Sequence, residues 1–174
     1  TDAPIRLAEA PQLRRGLIVG LVLLGAQIAL GGWTSANYAA LACGNDFPTC
    51  VGQWVPPTDF HEGFVLWRGV GVDYEGGVLD APARTAIQLM HRIFAGVVLV
   101  YMLSLMLKLL RVPGMRGWGV LLGLLTLAQI SLGIANVKLG LPLKVAVMHN
   151  GGAALLLLLL VTLLARLAPL DRKD

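Results

Sequence analysis

Charge is what this sequence has least of: 14% of its 174 residues are Asp, Glu, Lys or Arg, against about 25% in a soluble globular domain. That is too little to wet a surface. With 56% hydrophobic residues and a mean hydropathy of +0.73, it excludes a soluble fold. Cysteine is nearly missing too, and neither Cys43 nor Cys50 lies in an apolar segment. Histidine is almost as scarce: His61 falls in a polar stretch, and only His91 and His149 stand in apolar ones. Zinc would want three or four ligands, so two histidines argue against it. The sequence pI of about 9.4 does not mark a nucleic-acid partner, because the basic residues flank apolar runs and form no patch. The expected partner is the lipid bilayer.

Four apolar runs are long enough to span it, which takes roughly 20 residues each. They predict helices over about 16–37, 83–110, 117–137 and 142–167, making one four-helix transmembrane domain of the whole chain, 1–174. The first run ends on Trp33, Asn37 and Tyr38, as an interfacial aromatic belt does. The last contains the leucine run Leu155 to Leu160, plain apolar surface. Residues 38–82 form a loop between the first two spans, far longer than the usual connection in a bundle. Within it, the stretch 58–70 sets Phe60, Phe64, Val65 and Trp67 among His61, Glu62 and Arg68, the pattern of a short interfacial helix. Pro142 suits the first position of the last span.

Arg6, Arg14, Arg15, Lys108, Arg111, Arg116, Arg166, Arg172 and Lys173 flank one end of the spans. Only Arg68, Arg84, Lys138 and Lys144, spread over much more chain, lie at the other. The positive-inside rule then places both termini in the cytoplasm and the long loop outside it. Cys43 and Cys50 face an oxidising compartment, where a disulfide forms and persists. The alternative is two unpaired thiols, since sequence carries no geometry.

The chain also repeats itself. Ala26-Gln27-Ile28-Ala29-Leu30-Gly31 in the first span matches Ala128-Gln129-Ile130-Ser131-Leu132-Gly133 in the third, and Met90-His91 in the second matches Met148-His149 in the fourth. The expected fold is therefore an all-α membrane protein, a four-transmembrane-helix bundle built from two parallel helical-hairpin repeats related by an axis along the membrane normal. A ligand held by one histidine from each copy would lie on that axis.

His91 and His149 each stand about seven residues past the predicted start of their span, roughly 10 Å deep at 1.5 Å per residue. An ionisable or ligating group at membrane depth is expensive and marks a functional site by default. Two imidazoles at one level on facing helices suit the axial positions of a haem iron. The alternative is two buried histidines hydrogen-bonded to neighbours; a repeat-related pair at one depth favours the haem. Gly96, Gly151 and Gly152 follow the histidines and either make room for a flat macrocycle or let helices pack closely. Gln27 and Gln129 either bond a haem edge or the second ring nitrogen of a histidine, or simply link helices. Arg92 either pairs with a propionate or reaches for the nearer surface; Arg84, Lys138 and Lys144 are better placed for propionates at the outer interface.

The stretch from Leu30-Gly31-Gly32-Trp33-Thr34-Ser35-Ala36-Asn37-Tyr38 to Cys43, then Phe47-Pro48-Thr49-Cys50, resembles haem A synthase of the bacterial type. So do Asp73-Tyr74-Glu75-Gly76-Gly77, His91-Arg92, Gly133-Ile134-Ala135-Asn136 and His149-Asn150. The likeness runs from Leu17 to Leu167. That family typically consists of two tandem four-helix halves, and this chain resembles the carboxy-terminal one, which holds a haem B cofactor. The resemblance implies that His91 and His149 are the axial ligands of haem B; Arg92, Gln27, Gln129 and Asn150 are the further residues expected around it. It also implies that Cys43 and Cys50 are the family's extracellular disulfide pair.

The reaction implied for the complete enzyme is oxidation of the C8 methyl of haem O to a formyl group, for cytochrome oxidase assembly. One departure matters: the family's catalytic half has a glutamate three positions before the first histidine, where this chain has Gln88. No catalytic residue is therefore assigned here. A bis-histidine iron has no open position for oxygen and suits electron transfer. The resemblance further implies the bacterial cytoplasmic membrane and, as partners, the amino-terminal half or another copy of this chain, with haem O synthase. The competing readings are a bis-histidine haem B electron-transfer cytochrome with no chemistry on haem, and an assembly subunit without haem.

Overall fold

A backbone in hydrocarbon must satisfy its own N–H and C=O groups, and a helix does so within one segment. A computed structural model describes residues 10–69 and 76–167. Its long helices are α1 (Ala10–Ala36), α3 (Ala81–Arg111), α4 (Arg116–Lys138) and α5 (Leu143–Arg166), with one short helix, α2 (Phe60–Gly63), in the loop between the first two. Arg6, Asp73-Tyr74-Glu75, Arg172 and Lys173 lie outside the described residues. The shortest of the four has 23 residues, about 35 Å at 1.5 Å each, against a hydrocarbon core of about 30 Å. All four are long and apolar enough to cross a membrane, and the chain is a multi-pass membrane protein.

Helix ends follow capping more than hydropathy. The Asp80 carboxylate accepts from Ala83 N–H (2.9 Å), with proline in the first turn, so α3 starts earlier than its apolar run. At the other extreme, α1 continues back through Arg14 and Arg15 to Ala10. Pro142 stands just outside α5 as its N-cap. The helix expected over 58–70 is a correction: Asp59 caps a single turn, which stops at Gly63. Beyond it Arg68 turns back, pairing with the Glu62 carboxylate and donating to the Glu62 carbonyl (2.7 Å). Gly63 is required where it stands, because a Cβ there would lie 2.8 Å from the Ala83 carbonyl oxygen of α3.

In cross-section α1 packs against α3 and α5, and α4 packs against the same two, leaving α1/α4 and α3/α5 as the diagonals. That arrangement is what a two-fold axis along the bundle requires, exchanging α1 with α4 and α3 with α5. At the basic end, near Arg14, Arg111, Arg116 and Arg166, the bundle is filled solid. Leu17 and Leu24 from α1, Met102 and Leu105 from α3, Leu122 from α4 and Leu160 from α5 meet in one buried cluster. Small residues let the helices close up there: a Cβ at Gly20 would lie 3.3 Å from the Tyr101 ring, and one at Gly123 would collide with Met106. The Tyr101 hydroxyl donates to the Gly16 carbonyl (2.8 Å) across the same seam.

The loop end is built differently. No residue is buried along 25–33 of α1, 89–97 of α3, 127–135 of α4 or 143–155 of α5. Above this zone a second, smaller cluster gathers Ala39, Leu79, Ala83 and Ile87 under Trp33 and Phe64. The Trp33 indole N–H donates to the Gly63 carbonyl (2.9 Å) and ties α2 to α1.

Candidate functional site

Both membrane-depth histidines stand in that zone without buried residues, on the diagonal pair α3 and α5. Their surroundings repeat residue for residue. From α1, the Gln27 amide nitrogen lies 3.2 Å from the His91 carbonyl oxygen and donates to it. From α4, the Gln129 amide donates to the His149 carbonyl at 2.9 Å. One turn beyond each glutamine comes a glycine: a Cβ at Gly31 would lie 3.2 Å from His91 Cε1, and one at Gly133 would lie 3.1 Å from His149 Cε1. Each ring is thus seated edge-on against a bare stretch of the neighbouring helix. Glutamine and glycine four residues apart share a helix face, which is how one side of α1 and one side of α4 serve both contacts.

The matched depth has a different origin from the one expected. His91 lies ten residues into α3 and His149 six residues into α5, because the Asp80 cap extends α3 outward. The two rings are matched by their glutamine and glycine partners, not by distance from the helix starts. The glycines flanking the histidines also divide. At 3.6 residues per turn Gly96 lies about 140° round from His91 and Gly151 about 200° round from His149, and a Cβ at either would meet nothing within 4 Å. Neither faces the rings. Gly152 does face a neighbour, since a Cβ there would collide with Gln129 Oε1. Ala95 and Ala153, each one turn past its histidine, are the small residues on the ring face.

The other sequence-singled residues separate in space. Arg92 points out of the zone: its two terminal nitrogens donate to the carbonyls of Asp46 and Thr49 at 3.0 Å each, and its guanidinium lies 5.7 Å from the centre of the Phe47 ring. Cys43 and Cys50 are joined in a disulfide, and the loop it closes sits on Arg92. Asp46 organises that loop, accepting from Gly52 N–H (2.7 Å) and the Thr49 hydroxyl (2.8 Å), which hold its carboxyl below the usual carboxylate range of about 3.8. Gln88 is buried, one turn before His91, and its Oε1 has no partner among the described residues. Asn150, Lys138 and Lys144 are exposed, Arg84 is half-buried, and His61 is exposed on α2 away from the pair.

The donor set fits a haem held by two imidazoles. Gln27 Oε1, Gln129 Oε1 and His149 Nδ1 are buried without a partner among the described residues. Unpaired buried polar atoms are costly unless something completes them. The described residues contain no cluster of three or more His, Cys, Asp or Glu able to hold a bare metal ion. Gly31 and Gly133 are the pocket residues the sequence reading passed over. The signal was present in the repeated Gln-x-x-x-Gly, where the glycine recurs as faithfully as the glutamine.

Over 146 residues, 84% of this chain, the sequence is 46% identical to a protein named heme A synthase from Shewanella oneidensis. It is 32% identical over 147 residues to another of that name from Methylobacterium radiotolerans. The matches cover 44% and 37% of those proteins' own lengths, so this chain spans less than half of either. No solved structure matches it. Residues 3–161 match the COX15-CtaA family, described as cytochrome oxidase assembly protein, and with these relatives the chain belongs to that family, the haem A synthase family.

Proposed function

We propose that this chain is the haem B-holding, carboxy-terminal half of a haem A synthase, with His91 and His149 as axial ligands. One observation carries the reading: two histidines on diagonal helices, each gripped by a glutamine and seated on a glycine from the next helix, in a zone with no buried residues. Haem bound there would supply one-electron transfer, since both axial positions are taken by protein. The chain's own residues orient the rings and keep the zone's walls apolar. Gln88 places a neutral amide one turn from His91, so this half offers no carboxylate there to move protons. That supports a cofactor role, with haem O oxidation in the other half. The chain's own basic flanks support a topology with both termini in the cytoplasm and the disulfide loop outside it. The amino-terminal half, or a second copy of this chain, and haem O synthase are the proposed partners.

The test is a reduced-minus-oxidised spectrum with haem extraction, on the wild type and on His91→Ala and His149→Ala. A low-spin haem B signal lost in either variant is the expected result. Haem O or haem A in the extract would make this pocket a substrate site, and a folded wild type without haem would end the reading.

A further inference from the structure

A haem between two axial histidines can stand with its carboxylate edge toward either end of the bundle. At the basic end Leu17, Met102, Leu105, Leu122 and Leu160 fill the interior with apolar side chains. Buried polar groups collect at the loop end instead. Gln88 is 4% exposed and Asn136 8%, and Gln88 Oε1, Asn136 Oδ1 and Arg84 Nε are all buried without a partner among the described residues. On α3, Arg84 and Gln88 stand seven and three residues before His91, about 10.5 and 4.5 Å nearer the loop end and within about 60° of it around the helix. They line the face that carries the ring, on its outer side. On α4, Asn136 stands three residues beyond Gly133, on the face that seats His149 and at about the depth of Gln88. The two-fold repeat does not account for these groups: the counterparts of Arg84 and Gln88 are Pro142 and Ala146, and the counterpart of Asn136 is Thr34. Holding two like rings needs no such difference between the copies.

We propose that Arg84 and Gln88, with Asn136 from α4, form a seat for the carboxylates of the bound tetrapyrrole, so that the macrocycle stands with its acidic edge toward the disulfide loop. The inference rests on the haem reading above and adds to it the orientation of the ligand and the residues that set it. A guanidinium offers a carboxylate a planar fork of donors. A primary amide donates through its nitrogen, and a half-turn of its end exchanges oxygen for nitrogen, so the buried ends of Gln88 and Asn136 can each present a donor. Of the three cations expected near this edge, Arg84 is the one with a buried, unpartnered nitrogen. Lys138 and Lys144 are exposed and take no part.

The experiment measures how tightly the purified protein, stripped of haem, binds haem B and haem B dimethyl ester, in which both carboxylates are masked. The ratio of the two affinities is compared between wild type and variants, which cancels the ester's greater partition into detergent. Arg84→Leu and Gln88→Leu are each expected to lower the preference for the free acid by roughly 10-fold or more, with a smaller fall in Asn136→Leu and none in Lys144→Leu. A ratio unchanged at Arg84 or at Gln88 overturns the seat and leaves histidine ligation intact; buried water completing the same atoms predicts that outcome. A ratio that falls in Lys144→Leu instead also overturns it. Should a leucine variant fail to fold, Gln88→Glu keeps the shape and decides: like-charge repulsion weakens haem B and spares the ester if the seat is real, and an unchanged ratio refutes it. A folded wild type that binds neither haem nor ester removes the haem reading, and the seat with it.

Discussion

Replacing Gly31 separates what the pocket needs from what the helix needs. In a helix interior alanine is more favourable than glycine by about 0.8–1.0 kcal/mol. At Gly32, where a Cβ would meet nothing within 4 Å, Gly32→Ala should therefore stabilise the fold and leave haem binding untouched. At Gly31 the same Cβ would lie 3.2 Å from His91 Cε1, closer than ordinary van der Waals contact, so the ring must retreat by a few tenths of an ångström. Gly31→Ala keeps the gain in helix stability and loses a little of the ligand geometry. Gly31→Val adds two methyl groups into the ring itself; overpacking of that kind costs about 1–3 kcal/mol, which at 1.4 kcal/mol per decade is roughly a 5- to 150-fold loss of haem affinity. Gly133→Val should act alike through His149, whose Cε1 would lie 3.1 Å from the added Cβ.

The assay is haem-to-protein ratio and haem off-rate in detergent, read beside thermal unfolding of the haem-free protein. The expected order of haem retention is wild type and Gly32→Ala together, then Gly31→Ala, then the valine variants. Haem retention at wild-type level in both Gly31→Val and Gly133→Val, with the fold intact, would refute the edge-on seating of the rings.

Other expectations concern the cap over the pocket. Arg92→Ala removes two charge-assisted bonds to the Asp46 and Thr49 carbonyls; at the lower end of about 1.5–3 kcal/mol each for charged donors, the loop loosens by about 3 kcal/mol. The readout is faster reduction of the Cys43–Cys50 disulfide by added thiol, and Arg92→Lys should restore only part of the protection, because an ammonium lacks the planar fork that reaches two carbonyls. Cys43→Ala with Cys50→Ala opens a ring whose cysteines are seven residues apart, at a cost of about 2.5 kcal/mol in the chain-entropy account, measured as a fall in unfolding midpoint. Asp46 gives the loop an acid limit: its folded pKa lies below the ordinary value, so its contribution is complete above that value and disappears as pH falls through the lower folded one. Protease sensitivity of the loop should therefore rise as pH falls below the ordinary carboxylate value of about 3.8 in the wild type and show no such step in Asp46→Asn.

Spans and repeat were legible because hydrocarbon leaves the backbone few choices and the repeat duplicates its polar residues. Gln27, Gln129, His91 and His149 stand out as polar letters in apolar runs, and the structure groups them as two equivalent sets. What stayed hidden depends on contacts that no local pattern carries. The carbonyls that hold Arg92 lie 43 and 46 residues away in the chain, and backbone acceptors leave no trace in a sequence. The stretch 58–70 had the composition of an amphipathic helix, yet the Glu62–Arg68 pairing and the close approach of Gly63 to α3 confine it to one turn. Gly96 and Gly151 adjoin a histidine in sequence, but nearness in sequence is not nearness in angle around the helix.

Departures from the two-fold repeat explain one another. Position 92, just after the first histidine, is arginine, while position 150, just after the second, is asparagine. Only the first hairpin carries the inserted loop, and the Arg92 fork is spent on that loop's carbonyls; the second hairpin turns in a few residues and offers nothing for a matching arginine to hold. Asn150 is accordingly exposed. The insertion still reaches the second copy, since a Cβ at Gly140 in its turn would lie 3.8 Å from the Asn45 side chain. The disulfide loop therefore leans on one hairpin through Arg92 and on the other at Gly140, roofing both histidine helices from a single insertion. Symmetry is kept at Gln27, Gly31, Gln129 and Gly133, where the two rings must be held alike, and is broken at the loop end, where one lid serves both.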